Sequence, residues 1–187
     1  EEPFAYRNFG VEGVSVLNVS CDIRFEGDTS IRQATIVCGV GVAGDGVAVT
    51  YQQGFLQIRK IVGWSPQFGM AILASVAVGP PLSAATTYSL RCAVVANEDG
   101  TKTVTGSVWN SLGTIQLATI TATNNFADGD FCGFSNGITD DASSQYQTRY
   151  SNYHVLASGA NDYTASDTAT AYVYTFDGTD WGFETTL

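Results

Sequence analysis

Apolar and polar residues alternate one by one along much of this chain. Val19, Cys21, Ile23 and Phe25 interleave with Ser20, Asp22 and Arg24, a period of two that turns one face to a core and the other to water, as in a half-buried β-strand. Ala34, Ile36, Cys38, Val40 and Val42 repeat the pattern, and Gly44-Asp45-Gly46 supplies residues that accept positive φ before Val47, Val49 and Tyr51, which predicts a hairpin. Gln53-Gly54 predicts a second turn, into a strand over 55–62. Residues 63–69 read as a loop from their Gly and Pro punctuation, and 70–78 as a strand stopped by Gly79-Pro80-Pro81, because proline cannot donate to a ladder.

The second half continues in the same way. Tyr88, Leu90, Cys92, Val94 and Ala96 alternate with Ser89, Arg91, Ala93 and Val95 up to Asn97-Glu98-Asp99-Gly100, whose Asp-Gly end is a strong hairpin signal. Residues 103–109 pair back, Ser111-Leu112-Gly113 turns into 114–122, and Asp128-Gly129-Asp130 introduces 131–135. A polar strand follows over 146–156; residues 158–168 have no apolar period and read as a linker, before strands at 171–176 and 181–183 joined by Asp177-Gly178. About eleven to thirteen short strands with a turn every 8 to 12 residues predict an all-β sandwich or barrel rather than βαβ units.

Composition sharpens this picture. The 187 residues suit one domain, and charged residues at 14 % against 44 % hydrophobic are the opposite of a disordered chain. A formal charge of −10 repels a phosphate backbone or an anionic membrane, so nucleic-acid binding is not expected. No apolar run approaches the roughly 18 residues of a membrane span, so membrane insertion is not expected either. The chain opens on Glu1-Glu2-Pro3 without an initiator Met, which suggests a processed piece of something longer.

The order of elements resembles the concanavalin A-like jelly-roll superfamily, in particular its laminin-G-like and carbohydrate-binding modules. The segments that carry the likeness are 16–25, 34–57, "TTYSLRCAVV" (86–95), "GSVWNSLGTI" (106–115), and "DGDFCGFSNG" followed by "QTRYSNYHV". The resemblance implies a jelly-roll β-sandwich of two antiparallel sheets over residues 1–157, followed by a polar linker and an aromatic hairpin over 158–187. It also implies a structural calcium held by a carboxylate in the closing strand. Ser151 stands in that place, within Tyr150-Ser151-Asn152-Tyr153.

Catalytic chemistry finds few footholds. Glycoside hydrolysis needs two carboxylates set roughly 5 to 10 Å apart, but Glu1, Glu2, Glu12, Glu26, Glu98 and Glu184 all lie at termini or near turns, and the aspartates cluster with Gly and Asn as turn residues do. No Gly-x-Ser-x-Gly elbow exists. The sharpest catalytic suggestion is Gln145–His154, where strict alternation would put Tyr146, Thr148, Tyr150, Asn152 and His154 on one face and Gln147, Arg149, Ser151 and Tyr153 on the other; a polar outer strand explains the same residues. Cys21, Cys38, Cys92 and Cys132 read as buried free thiols rather than disulfides, and their spacings do not suit zinc.

Binding is left. Sugars stack on flat aromatic rings flanked by orienting polar groups. Trp64, with Gln67 and Phe68 in its Gly- and Pro-bounded loop and Tyr51 as a further aromatic, is the expected carbohydrate site, while Trp109 and Trp181 are expected to be packing residues. Asp128, Asp130 and Asp140 offer oxygens for a structural calcium, and no other cofactor is expected. Tyr172, Tyr174, Phe176, Trp181 and Phe183 form an aromatic cluster suited to a neighbouring subunit. The expectation is therefore a non-catalytic display or adhesion module, extracellular or on a virion surface. Its expected partners are a glycan or cell-surface polysaccharide and neighbouring protein subunits. The alternatives are a purely structural assembly domain and a polysaccharide lyase or glycoside hydrolase.

Overall fold

A computed structural model describes residues 4–8, 15–26, 32–41, 43–62, 71–126, 129, 131–135, 147–158, 172–176 and 181–186, with side chains described for 18–26, 32–41, 43–62, 71–126, 129, 132–134 and 148–156. Among these residues every regular element is a strand. They are β1 (Phe4–Asn8), β2 (Ser15–Glu26), β3 (Gln33–Val40), β4 (Gly46–Gln52), β5 (Phe55–Ile61), β6 (Ala71–Ala77) and β7 (Thr87–Ala96). β8 (Lys102–Asn110), β9 (Gln116–Asn124), β10 (Phe131–Ser135), β11 (Gln147–Ser158), β12 (Tyr172–Phe176) and β13 (Trp181–Thr186) complete the set.

The strands form a six-stranded sheet in the order β1-β10-β3-β4-β5-β6, a five-stranded sheet in the order β11-β2-β7-β8-β9, and a two-stranded hairpin, β12-β13. Every pairing is antiparallel. Chain neighbours such as β2 and β3 lie in different sheets, the crossing-over that makes two facing sheets a jelly-roll sandwich. The core lies between them. Ile36, Cys38, Val49, Tyr51, Leu56 and Ile58 project from one side and Val19, Cys21, Ile23, Leu90, Cys92, Val104 and Val108 from the other, all buried in one cluster.

The turns show why the chain reverses where it does. Gln53 (φ 49°) and Gly54 (φ 87°) supply the two positive-φ residues of a tight hairpin between Gln52 and its partner Phe55. At the β7–β8 turn Gly100 takes φ 80°, and the Asp99 carboxylate accepts hydrogen bonds from the Thr101 amide (2.9 Å) and hydroxyl (2.6 Å). The β8–β9 turn runs longer than its sequence suggests. Asn110 Oδ1 accepts from the amides of Thr114 and Ile115, and the Asn110 amide donates to Ile115 O, so β9 starts at Gln116 rather than at 114.

Two positive-φ residues shift the alternation. Gly39 (φ 67°) follows core-facing Cys38, so Val40 leaves the core expected of it and joins Val37, Ala48 and Ile61 in a second, smaller cluster on the opposite face. The register against β10 slips at the same level. Gly46 must be a glycine there, because a Cβ would lie 2.6 Å from Val40 Cγ2. All eight residues of β3 are consequently buried, with Thr35 and Thr50 joined hydroxyl to hydroxyl at 3.0 Å; continuous apolar character, not alternation, is the mark of such a strand.

The second shift is in β11. Asn152 adopts φ 49°, and the pairing with β2 steps from Ser151↔Asp22 to His154↔Ser20, leaving Asn152 and Tyr153 together opposite Cys21. The strict alternation expected over Gln145–His154 is therefore corrected. Thr148, Tyr150 and Tyr153 turn inward: Thr148 Oγ1 donates to Gln33 O (2.8 Å), Tyr150 Oη accepts the Thr35 amide (3.1 Å), and both tyrosine rings pack on Phe134. Arg149, Asn152 and His154 are left exposed.

Candidate functional site

The outer face of the five-stranded sheet collects the polar phase of four strands. Register places His154 (β11) beside Ser20 (β2), Ser20 beside Arg91 (β7), and Arg91 beside Ser107 (β8) in one row. The next row runs Ser151, Asp22, Ser89, Trp109. With strands about 4.8 Å apart, each row crosses roughly 14 Å. A groove of about 510 Å³ opens over these rows, lined by Asn18, Asp22, Arg91, Trp109, Asn152 and His154 among others, within the range of small-ligand sites.

Its side chains are held in place. Trp109 Nε1 donates to Ser107 Oγ at 2.9 Å, which fixes the indole along its own strand. The Arg91 guanidinium lies over that ring, 4.7 Å from the centroid, while its Nε donates to Ser89 Oγ at 3.3 Å. The guanidinium reaches as far as the β8–β9 turn. A Cβ at Gly113 would meet Arg91 Nη2 at 2.7 Å, so both this contact and its φ of 65° reserve that position for glycine. At the other end the bulge brings Asn152 over Asp22, and Asn152 Nδ2 donates to Asp22 Oδ2 at 2.7 Å. Glu26 pairs with both Arg24 and Arg149, each at 3.2 Å, and those three charges sit on the β2–β11 side of the same sheet.

Fixed donors and acceptors around one half-buried indole can orient a hydroxyl-rich ligand and cover its apolar face. Among the described residues that line the groove, Asp22 is the single carboxylate.

The residues expected at a site fall elsewhere or outside the described residues. Tyr51 is corrected: it is 1 % exposed, its ring 5.5 Å from that of Phe25 and its hydroxyl accepting the Leu82 amide at 3.0 Å, so it is a core residue with no face for a sugar. Burial also raises its hydroxyl pKa above the ordinary tyrosine value. Trp64, Gln67 and Phe68 lie outside the described residues, as do Asp128, Asp130 and Asp140. Among the described residues no group of three or more His, Cys, Asp or Glu side chains is placed to hold a metal. On the hairpin, register sets Tyr174 opposite Phe183 and Phe176 opposite Trp181, with Tyr172 opposite Thr186. Cys21, Cys38, Cys92 and Cys132 are buried thiols that form no disulfide.

Trp109 was expected to pack, yet it lines the groove, and the signal was in its phase. It follows Thr103, Thr105 and Ser107 at intervals of two, on the polar side of a strand whose apolar side carries Val104 and Val108. A tryptophan in a polar phase is not needed for the core.

No protein-family model matches this chain, and no curated protein is similar to it in sequence. Solved structures are similar in fold. The carbohydrate-binding module CBM66 from Bacillus subtilis superposes with a TM-score of 0.53 at 10 % identity, covering 82 % of this chain and 91 % of the module. Sheep galectin-11, solved in complex with glycerol, gives 0.49 at 9 % identity over 83 % and 98 %. A scytalido-glutamic peptidase with a transition-state analogue inhibitor gives 0.44 at 10 % over 83 % and 79 %. With two antiparallel sheets of crossed-over strands and this likeness in fold to CBM66, the chain has a jelly-roll β-sandwich fold.

Proposed function

We propose that this chain is a non-catalytic carbohydrate-binding module whose site is the groove on the outer face of the five-stranded sheet. The observation that carries the reading is Trp109: an indole on the polar face, locked by Ser107 and Arg91, lining one groove with the hydrogen-bonding side chains of Asn18, Asp22, Asn152 and His154. The shared fold with a module that binds carbohydrate supports it. A lone carboxylate among the described groove residues favours binding over glycoside hydrolysis, which requires a pair. In this reading the module is displayed outside the cell or on a virion surface, in adhesion or decoration, and its ligand is a glycan or cell-surface polysaccharide.

Trp109→Ala should lower glycan affinity at least tenfold while leaving the circular dichroism spectrum unchanged, measured by array screening followed by calorimetry, with a chelator arm to test the calcium expected at Asp128, Asp130 and Asp140. A blank array, or a Trp109→Ala protein that binds as the parent does, would reject the groove. If only Trp64→Ala abolished binding, the site would return to the loop over 63–69.

The aromatic pairs of β12 and β13 support a second partner, a neighbouring subunit docked on the hairpin. Removing residues 172–187 should then shift an oligomer to monomer in multi-angle light scattering; an unchanged mass would discard that partner.

A further inference from the structure

The groove has one cation with no acid beside it. Arg24 and Arg149, the other arginines on the strands of this sheet, both pair with Glu26. Arg91 pairs with no carboxylate among the described residues. Its contacts are the Trp109 face beneath it, Ser89 Oγ at its Nε, and the cleared space at Gly113 beside Nη2. Together these fix the plane of the guanidinium while leaving its paired Nη donors unused by any of these contacts. A guanidinium immobilised in this way presents two parallel N–H groups, the fork that matches a planar carboxylate. Little side-chain freedom is left to lose on binding, since stacking has already restricted the rotamers.

The surroundings favour the same class of ligand. His154 lies in the Arg91 row, across Ser20, and the serine between them is a neutral donor. The one groove carboxylate, Asp22, lies one row away with an oxygen already engaged by Asn152. We infer that Arg91 is the specificity-determining residue of this site and that the glycan it selects carries a carboxylated sugar, whose carboxylate pairs with the Arg91 fork that Trp109 supports from beneath. The inference rests on the reading that the groove takes a saccharide.

The net charge sets a further limit. A chain at −10 repels a polyanion along its whole length, whereas one acidic sugar at the groove interacts mainly with charges inside a Debye length of about 8 Å. The ligand is therefore a glycan bearing an isolated acidic unit, as at a chain end, rather than a polyuronate or a densely sulfated polymer.

The test uses an oligosaccharide ending in one glucuronic acid, its methyl ester, and heparin, each titrated against the full chain and against Arg91→Gln, Arg91→Lys and Trp109→Ala. The parent protein should bind the acid at least tenfold more tightly than the ester, and Arg91→Gln should bind the two alike. Arg91→Lys should retain only part of the preference, because a point charge replaces the fork. Trp109→Ala should weaken acid and ester together. Equal affinity of the parent for acid and ester, a preference that survives Arg91→Gln, or tightest binding by the sulfated polymer would overturn the inference. Loss of ester binding in Trp109→Ala alongside an Arg91-independent preference would sink it while sparing the groove; no binding of any saccharide would remove both.

Discussion

Replacing Tyr150 with alanine should destabilise the fold by about 3–5 kcal/mol, the range for removing a large core aromatic. Tyr150 stacks on Phe134 with centroids 4.5 Å apart, and its hydroxyl accepts the Thr35 amide of the opposite sheet. Burial accordingly raises its pKa well above that of an ordinary tyrosine. Tyr150→Phe isolates the hydroxyl: the ring stays, the Thr35 amide is orphaned, and the cost should be about 1–3 kcal/mol. Tyr153 is the internal control. Its hydroxyl is buried with no conventional partner, only the Cys132 thiol beside it, so Tyr153→Phe should change stability by less than about 0.5 kcal/mol. Guanidinium unfolding of the three variants decides the matter. A neutral Tyr150→Phe, or a Tyr153→Phe as costly as it, would mean that the hydroxyl does not join the sheets as described.

That pair also marks where the sequence stops being readable. Strict alternation puts Tyr150 and Tyr153 on opposite faces, and the structure puts both inside, because Asn152 in a left-handed conformation adds a residue opposite Cys21. Asparagine tolerates that conformation but does not announce it, so no period count locates the bulge. Gly39 acts the same way on Val40. Where no bulge intervenes, alternation is sufficient: Val19, Cys21 and Ile23, and Leu90 and Cys92, face the core as their phase requires. The two-residue turn at Gln53-Gly54 is likewise local chemistry that a sequence displays. β1 escaped notice because five residues of mixed character earn strand status only by pairing with β10, far along the chain.

The groove is hidden for a related reason. Asn152 and Asp22 are 130 residues apart in sequence, and only the order β11-β2-β7-β8 makes them neighbours and brings Arg91 and Trp109 alongside. Each strand does reveal which of its residues face away from the core, and Trp109 on a polar phase was a local sign of an indole outside it. What a single strand cannot reveal is which polar phases share one sheet. Tyr51 shows the opposite error. An aromatic after a turn is equally suited to a surface or a core, and its place in the phase of Val47 and Val49 decides for the core.

Alkaline pH should unfold this protein far more readily than its acidic composition suggests. Burial pushes the Cys21 thiol from 9.0 up to about 12, although a backbone hydrogen bond at Ser151 lowers it somewhat. A raised folded-state pKa means that the native state keeps its proton where the unfolded chain has released it, so the stability is fully present below pH 9 and is lost as pH rises toward 12. From Cys21 alone the loss should be about 3 kcal/mol by pH 11, since each pKa unit is worth about 1.4 kcal/mol. Above pH 10 Tyr150 steepens the fall in the same direction, because its buried hydroxyl also resists ionisation. Cys38, held up by its hydrogen bond with Cys92 and by burial, acts in the same direction; guanidinium midpoints at pH 8 and pH 11 measure the total, and Cys21→Ala should make the dependence between pH 9 and 10 shallower by the Cys21 share. Coincident midpoints at the two pH values, or a Cys21→Ala protein as pH-sensitive as its parent, would show that the thiol is not sealed in the core.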